Sequence, residues 1–310
     1  MVDGRVGPTR GGDSPPHTHG GHGPALALVV VTRDRPPVFA RCVMPGLRQI
    51  RHQDADVVVV DQSTGTATSR LLEELPWVRQ LRSGPGLSRG RNVGVAATSA
   101  QIVAFTDDDV EFGTDWLPRI RALFADPAIG VVCGRGVDSQ GRPLPHRRAG
   151  IYRWPTSPFG LGHGFNMAFR RDALDDAGLF DEALGAGSSV PSAEDTDMIY
   201  RVMRSGWSAL CDDRLVVVHH TWRTAHAERA AHRAYGMGFA VQTLKHTRAG
   251  DTVAIRIAAR EVMGHIVWSA VSLARRDRRA LRHQGAWARG FGAGIARGVR
   301  RCERLQDADH

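Results

Sequence analysis

Short apolar runs alternate with helical periodicities from Ala25 onward. Ala25–Val31 (ALALVVV), Asp56–Val60 (DVVVV), Ile102–Phe105 (IVAF) and Ile129–Cys133 (IGVVC) are four such runs. Short, continuously apolar strands suit a parallel sheet covered on both faces. Helical patterns lie between them at Val38–Ile50, Ser69–Leu75, Gly90–Thr98 and Trp116–Phe124. Pro36 and Pro37 suit a helix start, and Pro45 is expected to kink or shorten that first helix. The βαβα alternation predicts a doubly wound α/β sheet, mostly parallel, with helices on both faces. Ligands of such sheets bind beyond the carboxyl ends of the strands. Thr32, Asp61 and Asp107–Asp109, which follow the first three runs, should therefore converge on one rim.

Beyond Gly134 the pattern loosens, and residues 135–165, with many Gly, Pro and Arg, read as loops. Phe165–Phe169 reads as a strand, Arg171–Ala177 as a short helix, Gly185–Pro191 as a flexible loop, and Glu194–Ser205 as a helix stopped by Gly206. Leu215–Val218 is a last strand, ending on His219 and His220. Three helices then follow, at roughly His226–His246, Thr252–Ala274 and Arg279–Arg300. The expected organisation is a disordered leader over 1–23, a nucleotide-binding α/β domain over 24–222 and a basic helical extension over 223–310. His17, His19 and His22 in the leader read as part of a flexible polar tail.

Charge sharpens that division. Residues 1–222 hold 24 Lys+Arg against 25 Asp+Glu, whereas residues 223–310 hold 17 against 7. The basic character belongs to the extension, which points to an anionic partner. Ile255, Ala258, Val262, Ile266 and Ala270 recur at helical spacing, and the arginines Arg275, Arg276, Arg278, Arg279 and Arg282 follow. That pattern predicts contact with an anionic membrane surface rather than with nucleic acid, the alternative being that the stripe packs on the α/β domain or on a second copy with its arginines in water. No apolar run reaches the roughly 20 residues of a spanning helix, and no secretory segment is visible. Cys42, Cys133, Cys211 and Cys302 form no CxxC pair, so the expectation is a cytoplasmic protein, with the basic extension placing it peripherally on the inner membrane face.

The candidate chemistry starts with Asp107, Asp108 and Asp109. Adjacent carboxylates at a strand end repel one another and invite a cation, and hard oxygen donors suit Mg²⁺ or Mn²⁺ bridging to phosphates. Glu194 and Asp195 open a helix, where one can serve as a general base. His219 or His220 can bind a metal through neutral imidazole. Arg89 and Arg91 sit where Gly86-Leu87-Ser88-Arg89-Gly90-Arg91-Asn92 opens a helix, a setting that attracts phosphate. Neither the GxxxxGK[ST] nor the GxGxxG spacing is present, which argues against a P-loop ATPase and a dinucleotide-dependent dehydrogenase.

Taken together, VVVTRDRP (Val29–Pro36), VVVVDQS (Val57–Ser63), GLSRGRNVGVAATSAQIVAFTDDDV (Gly86–Val110), GFNMAFRRDAL…AGLFDEALG (Gly164–Gly185), AEDTDMIYRVMRSGW (Ala193–Trp207) and VVVHH (Val216–His220) resemble, in order, the segments of family 2 inverting glycosyltransferases with the GT-A fold. The resemblance implies that Thr32, Arg33 and Asp61 face the nucleoside, Asp61 bonding the base. It implies that Arg89 and Asn92 line the nucleotide site, and that Asp107–Asp109 is a DxD motif with Asp107 and Asp108 toward the donor and Asp107 and Asp109 toward the metal. Asp195 matches the catalytic base of the acidic pair with Glu194, His219 or His220 a histidine near the metal, and Gly164 and Asn166 the border of donor sugar and acceptor. Arg33-Asp34 departs from the family, where many relatives carry an aromatic and Asn. The implied reaction moves a sugar from a nucleotide diphosphate sugar, UDP-sugar favoured, to a hydroxyl acceptor such as a glycan or lipid-linked group.

Two rival readings are a sugar nucleotidyltransferase and a non-catalytic sugar-nucleotide-binding protein. The first calls for a glycine-rich loop directly after the opening strand, where this chain has Thr32-Arg33-Asp34-Arg35-Pro36. The second makes little use of an intact Asp triplet combined with an acidic pair.

Overall fold

The computed structural model describes residues 25–220 and 224–306. The expected leader and the boundary at Trp222 lie outside the described residues. In chain order the first half runs β1 (Leu26–Thr32), α1 (Pro36–Ile50), β2 (Asp56–Asp61), α2 (Ala67–Leu72), β3 (Arg79–Arg82), α3 (Leu87–Ala96), β4 (Ile102–Asp107), β5 (Val110–Glu111) and α4 (Trp116–Leu123). It continues through β6 (Ile129–Asp138), β7 (Gly150–Tyr152), β8 (Met167–Arg170), α5 (Arg171–Ala177), α6 (Glu194–Arg204) and β9 (Ser208–His219). Three long helices follow: α7 (Ala225–Arg248), α8 (Thr252–Ala274) and α9 (Arg278–Gln306).

All nine strands join one mixed sheet in the order β3-β2-β1-β4-β8-β6-β9-β5, with β7 paired to β9. The half β3-β2-β1-β4 is parallel throughout. β8 runs antiparallel between β4 and β6, and β6 and β9 are again parallel. Successive strand residues point to opposite faces, and the core divides accordingly. Leu26, Leu28, Val30, Val57 and Val59 pack on one side with Phe39, Met44 and Leu47 of α1 and Trp116 and Ile120 of α4. Val29, Val31, Val58, Val60 and Phe105 pack on the other with Val95 of α3 and Met198 and Val202 of α6. Burial on both faces is the physical reason these strands read as uninterrupted apolar runs.

Several elements differ from the expectations drawn from sequence. β3 is polar (RQLR) and lies at the sheet edge, so no apolar run marked it. α1 runs through Pro45 to Ile50 without being shortened. Its buried face of Phe39, Cys42, Val43, Met44, Leu47 and Ile50 outweighs the roughly 3 kcal/mol that an interior proline costs, since each buried apolar side chain contributes about 1.5–3 kcal/mol. β6 and β9 extend well beyond the runs that announced them. Their register jumps from Gly134↔Asp212 to Arg135↔Val216, so a bulge carries Asp213-Arg214-Leu215 and broke the pattern in the sequence.

α3 lies unusually close to the sheet. A Cβ on Gly94 would collide with the Val29 side chain, and one on Gly90 would come within 2.6 Å of Val31 Cγ1. These two glycines bring the start of α3 down onto the end of β1, beside the rim. Cys133 and Cys211 face each other across β6 and β9 as free thiols.

The C-terminal helices form a packed unit seated on α6. α7 and α9 approach through glycines, since a Cβ on Gly236 would collide with the Trp287 carbonyl and one on Gly290 with the Arg233 carbonyl. Asp197 of α6, fully buried, accepts hydrogen bonds from Arg201 Nε, Lys245 Nζ and His246 Nε2 at 2.9–3.0 Å. These partners hold its carboxyl far below the usual range despite burial. Thr196 Oγ1 donates to Gln242 (2.9 Å), Ser192 Oγ to the Ala234 carbonyl (2.7 Å) and Tyr200 Oη to Asp251 (2.7 Å). The extension thus clamps the helix whose first turn carries Glu194 and Asp195. Of the stripe expected on α8, Ala258 and Val262 are only partly exposed, while Ile255, Ile266 and Ala270 face outward. No described helix is long and apolar enough to cross a membrane.

Candidate functional site

The aspartate triplet lies where β4 ends, directly beside the end of β1. Val31 pairs with Asp107 in register, which brings Thr32 to Asp108, and Thr32 Oγ1 donates to its carboxylate at 2.9 Å. The three carboxylates then diverge. Asp108 and Asp109 are buried, while the Asp107 side chain is 29% exposed and is the open member. Arg35, four residues past the end of β1's apolar run, lays one guanidinium nitrogen 3.0 Å from Asp108 and 3.3 Å from Asp109. Burial pushes Asp108 up to about 6, with Arg35 opposing it.

His219 and His220 take opposite directions, as neighbours at a strand end must. His219 Nε2 lies 3.4 Å from Asp109 and its ring stacks on Phe165 at 4.6 Å. His220 Nε2 instead lies 2.8 Å from Glu111, in a separate group with Cys42. Of the two histidines left as alternatives, His219 lies at the triplet and His220 away from it. Phe165 also stacks on His163 at 4.8 Å. Burial drops the His163 pKa to about 4, so this imidazole is neutral.

The acidic pair comes to the triplet through Arg91. Its guanidinium is almost fully buried and reaches Glu194 at 3.1 Å, Asp107 at 3.4 Å and the Gly164 carbonyl at 3.0 Å. It also lies over the faces of Phe105 and Phe180. Burial, reinforced by the adjacent Asp195 charge and opposed by Arg91, raises Glu194 to about 7. Burial also raises Asp107; Arg91 opposes the shift, while Asp109 and Asp195 add like charge. Asp195 is the more open member of the pair. Its Oδ2 accepts from the Gly164 amide at 3.0 Å and its Oδ1 from Thr196 N at 2.7 Å. Ala193, just before the pair, adopts a left-handed φ of 74°, a conformation that costs a non-glycine residue about 1–3 kcal/mol and marks an overdetermined turn.

The loop ahead of α6, expected to be flexible, is laced together. Gly185 N donates to the Val190 carbonyl (2.9 Å), Ser188 Oγ to Ala183 O (2.9 Å), Ser88 Oγ to Leu184 O (2.7 Å) and Leu87 N to Ala186 O (2.8 Å). It is therefore tied to α3 as well as to itself.

Other expected site residues have structural partners. Asn166 is fully buried: it accepts from Trp116 Nε1 (3.0 Å) and donates to Arg135 O (3.0 Å) and Leu215 O (2.9 Å). These bonds engage both of its amide hydrogens and make it a knot joining α4, β6 and β9. Asn92 exchanges two 2.9 Å hydrogen bonds with the backbone of Phe180. Arg89 pairs with Glu182 at 2.8 Å on the surface, whereas Arg91 reaches Glu194, Asp107 and Gly164. Asp61 is fully buried at the end of β2 and held by Arg82 at 2.6 Å and Ser63 N at 2.9 Å. Arg33 is half exposed beside Asp34. Gly164 does lie in the site, with both its amide and its carbonyl engaged.

Two contributors, Arg35 and His163, were not singled out from sequence, and Arg91, read there only as a residue at a phosphate-attracting helix start, sits among carboxylates. A signal existed for Arg91. It follows Gly90 on the helix face that packs against the sheet, and an arginine among close-packed glycines marks a buried charge needing anionic partners.

The Glycosyl transferase family 2 profile matches residues 27–178. Residues 27–178 are a glycosyl transferase family 2 domain. A pre-mycofactocin glycosyltransferase of Mycobacterium tuberculosis is 28% identical over 176 residues, covering 52% of this chain and 36% of the relative. The chain thus spans about a third of the length of the curated relatives it matches. Mannosyltransferase PcManGT from Pyrobaculum calidifontis, solved with GDP-Man and Mn²⁺, superposes with a TM-score of 0.60 at 19% identity over 88% of each chain. S. aureus TarS 1-349 with UDP-GlcNAc gives a TM-score of 0.58 at 18% identity, over 87% of this chain and 80% of TarS. These two likenesses establish the GT-A-type fold.

Proposed function

We propose that this family 2 domain is an inverting glycosyltransferase that moves a sugar from a nucleotide diphosphate sugar to an acceptor hydroxyl. The observation that carries the reading is that buried Arg91 joins Asp107, the open carboxylate of the triplet, to Glu194 and to the Gly164 carbonyl, while the Gly164 amide donates to Asp195, so the triplet and the acidic pair meet at one place. Residues 24–222 would form the catalytic unit, with the helices beyond it supporting α6.

Asp195 acts as general base. Its carboxylate takes the proton of the acceptor hydroxyl as that oxygen bonds to the anomeric carbon, while the bond from carbon to the diphosphate oxygen breaks and its electron pair leaves with the nucleotide. A single displacement inverts configuration. Glu194 suits the role less, being buried against Arg91 and protonated over much of the neutral range. The Gly164 amide and the start of α6 orient Asp195.

The triplet fits a divalent cation. Carboxylate oxygens with one imidazole are donors for Mn²⁺ or Mg²⁺, and the Arg35 guanidinium already lies across Asp108 and Asp109 as a positive group. Asp107, Asp109 and His219 would hold the ion, which would neutralise charge on the diphosphate leaving group. The relatives were solved with GDP-Man in one case and UDP-GlcNAc in another, so the base preferred here is a matter for a donor panel.

Asp195→Asn tests the reading. We expect donor affinity in Mn²⁺ to be retained by calorimetry while turnover falls at least about a hundredfold. Near-normal turnover would remove Asp195 from the base role.

A further inference from the structure

Six of the large apolar side chains that the described residues leave exposed belong to one helix. Ile255, Met263, Ile266, Val267, Trp268 and Leu273 of α8 are each between 51% and 66% exposed. At roughly 100° per residue, Ile255, Ile266 and Leu273 share one narrow sector, Met263 and Val267 lie to one side of it, and Trp268 lies toward the far side. The second half of α8 therefore shows apolar surface around much of its girth.

The helix is nonetheless firmly placed. Ala254 and Ile257 pack with Tyr200, Trp154 and Phe159 at its start. Glu261 accepts from Ser157 Oγ at 2.6 Å, and His265 stacks on Trp287 of α9 at 3.7 Å and bonds Gln284 at 2.8 Å. One flank is anchored and the rest projects.

The surrounding charge tells what covers it. Arg256 and Arg260 are exposed on the helix itself, and Arg275, Arg276 and Arg278 are exposed just past its end. Residues 252–298 contain nine arginines and only two acids, Glu261 and Asp277, and Glu261 is already engaged by Ser157. A projecting apolar helix rimmed by arginines, with an indole among its apolar residues, matches a layer that is apolar inside and anionic at its surface. A second copy of this chain would bring the same arginines against one another.

We propose that α8 docks this protein onto anionic lipid bilayers, its second half lying in the headgroup boundary and its arginines on lipid phosphates. It cannot span, since no described helix is long and apolar enough. The proposal stands on this surface alone and does not depend on the reaction assigned to the cleft.

The test is co-sedimentation of the full chain with vesicles of phosphatidylcholine alone or mixed with phosphatidylglycerol. Binding is expected to the anionic vesicles at low salt, with release as salt screens the arginines. Ile266→Asp with Leu273→Asp should weaken binding at least about tenfold per site, since each removes an inserting apolar side chain. Both positions are exposed, so melting temperature should hold. Arg275→Glu with Arg278→Glu should weaken it by roughly fivefold per site, giving a second reading should the first pair fail to fold. Sedimentation velocity without lipid is run alongside. Absence of binding to anionic vesicles, folded variants that bind like the parent, or a dimer that the Ile266/Leu273 pair converts to monomer would each overturn the proposal.

Discussion

Arg91→Met exposes the energetic centre of the site. The substitution keeps an unbranched side chain that can still pack against Phe105 and Phe180, but it deletes the only charge shared by Asp107 and Glu194 among the described contacts. The Arg91 side chain is 2% exposed and that of Glu194 10%, so water cannot fully replace the lost partner. Removing one member of such a buried pair typically costs about 3–5 kcal/mol, or on the order of 6–15 °C in melting temperature for a chain of this size. The cost should depend on pH. Glu194 sits near 7 in the folded protein against its ordinary 4.5. Between those values the folded state binds more protons than the unfolded one, so stability falls as pH rises through that window. Without Arg91 the folded value climbs further and the fall extends to higher pH, so the mutant's deficit should be larger at pH 8 than at pH 6. Glu194→Gln in the Arg91→Met background should recover part of the loss, because a neutral amide needs no counter-charge. Urea unfolding of the three proteins at both pH values measures all of this. A deficit below about 1 kcal/mol, a deficit equal at the two pH values, or a double mutant less stable than Arg91→Met would refute the reasoning.

The two histidines separate cleanly. His219→Ala should weaken Mn²⁺-dependent donor binding, whereas His220→Ala should leave it within about twofold; calorimetry with donor at fixed Mn²⁺ reads both, and equal effects would contradict the divergence at the end of β9. Asn166→Ala should destabilise the fold by at least about 3 kcal/mol, because it strands the buried Trp116 indole and two carbonyls at about 1–3 kcal/mol per unsatisfied group; a chemical denaturation midpoint close to the parent's would instead return Asn166 to a ligand-facing role.

The sequence by itself determined the layered α/β plan. Apolar runs in β1, β2, β4 and the start of β6 announce strands buried on both faces, because a buried parallel strand has no polar side to interrupt it. The position of the aspartate triplet at a strand's carboxyl end was equally legible, and so were the start of α6 with its acidic pair and the three closing helices. Tertiary structure decided what pattern cannot carry. β3 is polar because an edge strand tolerates solvent, and the bulge in β9 hides half a strand behind Asp212-Asp213-Arg214. Which way each rim residue turns depends on neighbours far away in sequence. His219 and His220 look alike in a row, yet strand alternation sends one to Asp109 and the other to Glu111. Asn92 and Asn166 sit in motifs, yet both spend their hydrogen bonds on distant backbone. The choice of Arg91 over Arg89 follows from glycines at 90 and 94 that press one face of α3 onto β1. The exposure of α8 follows from how little of it the remaining helices cover. Hydrophobic periodicity records that a face is apolar; only the packed chain decides whether protein or something else lies against it.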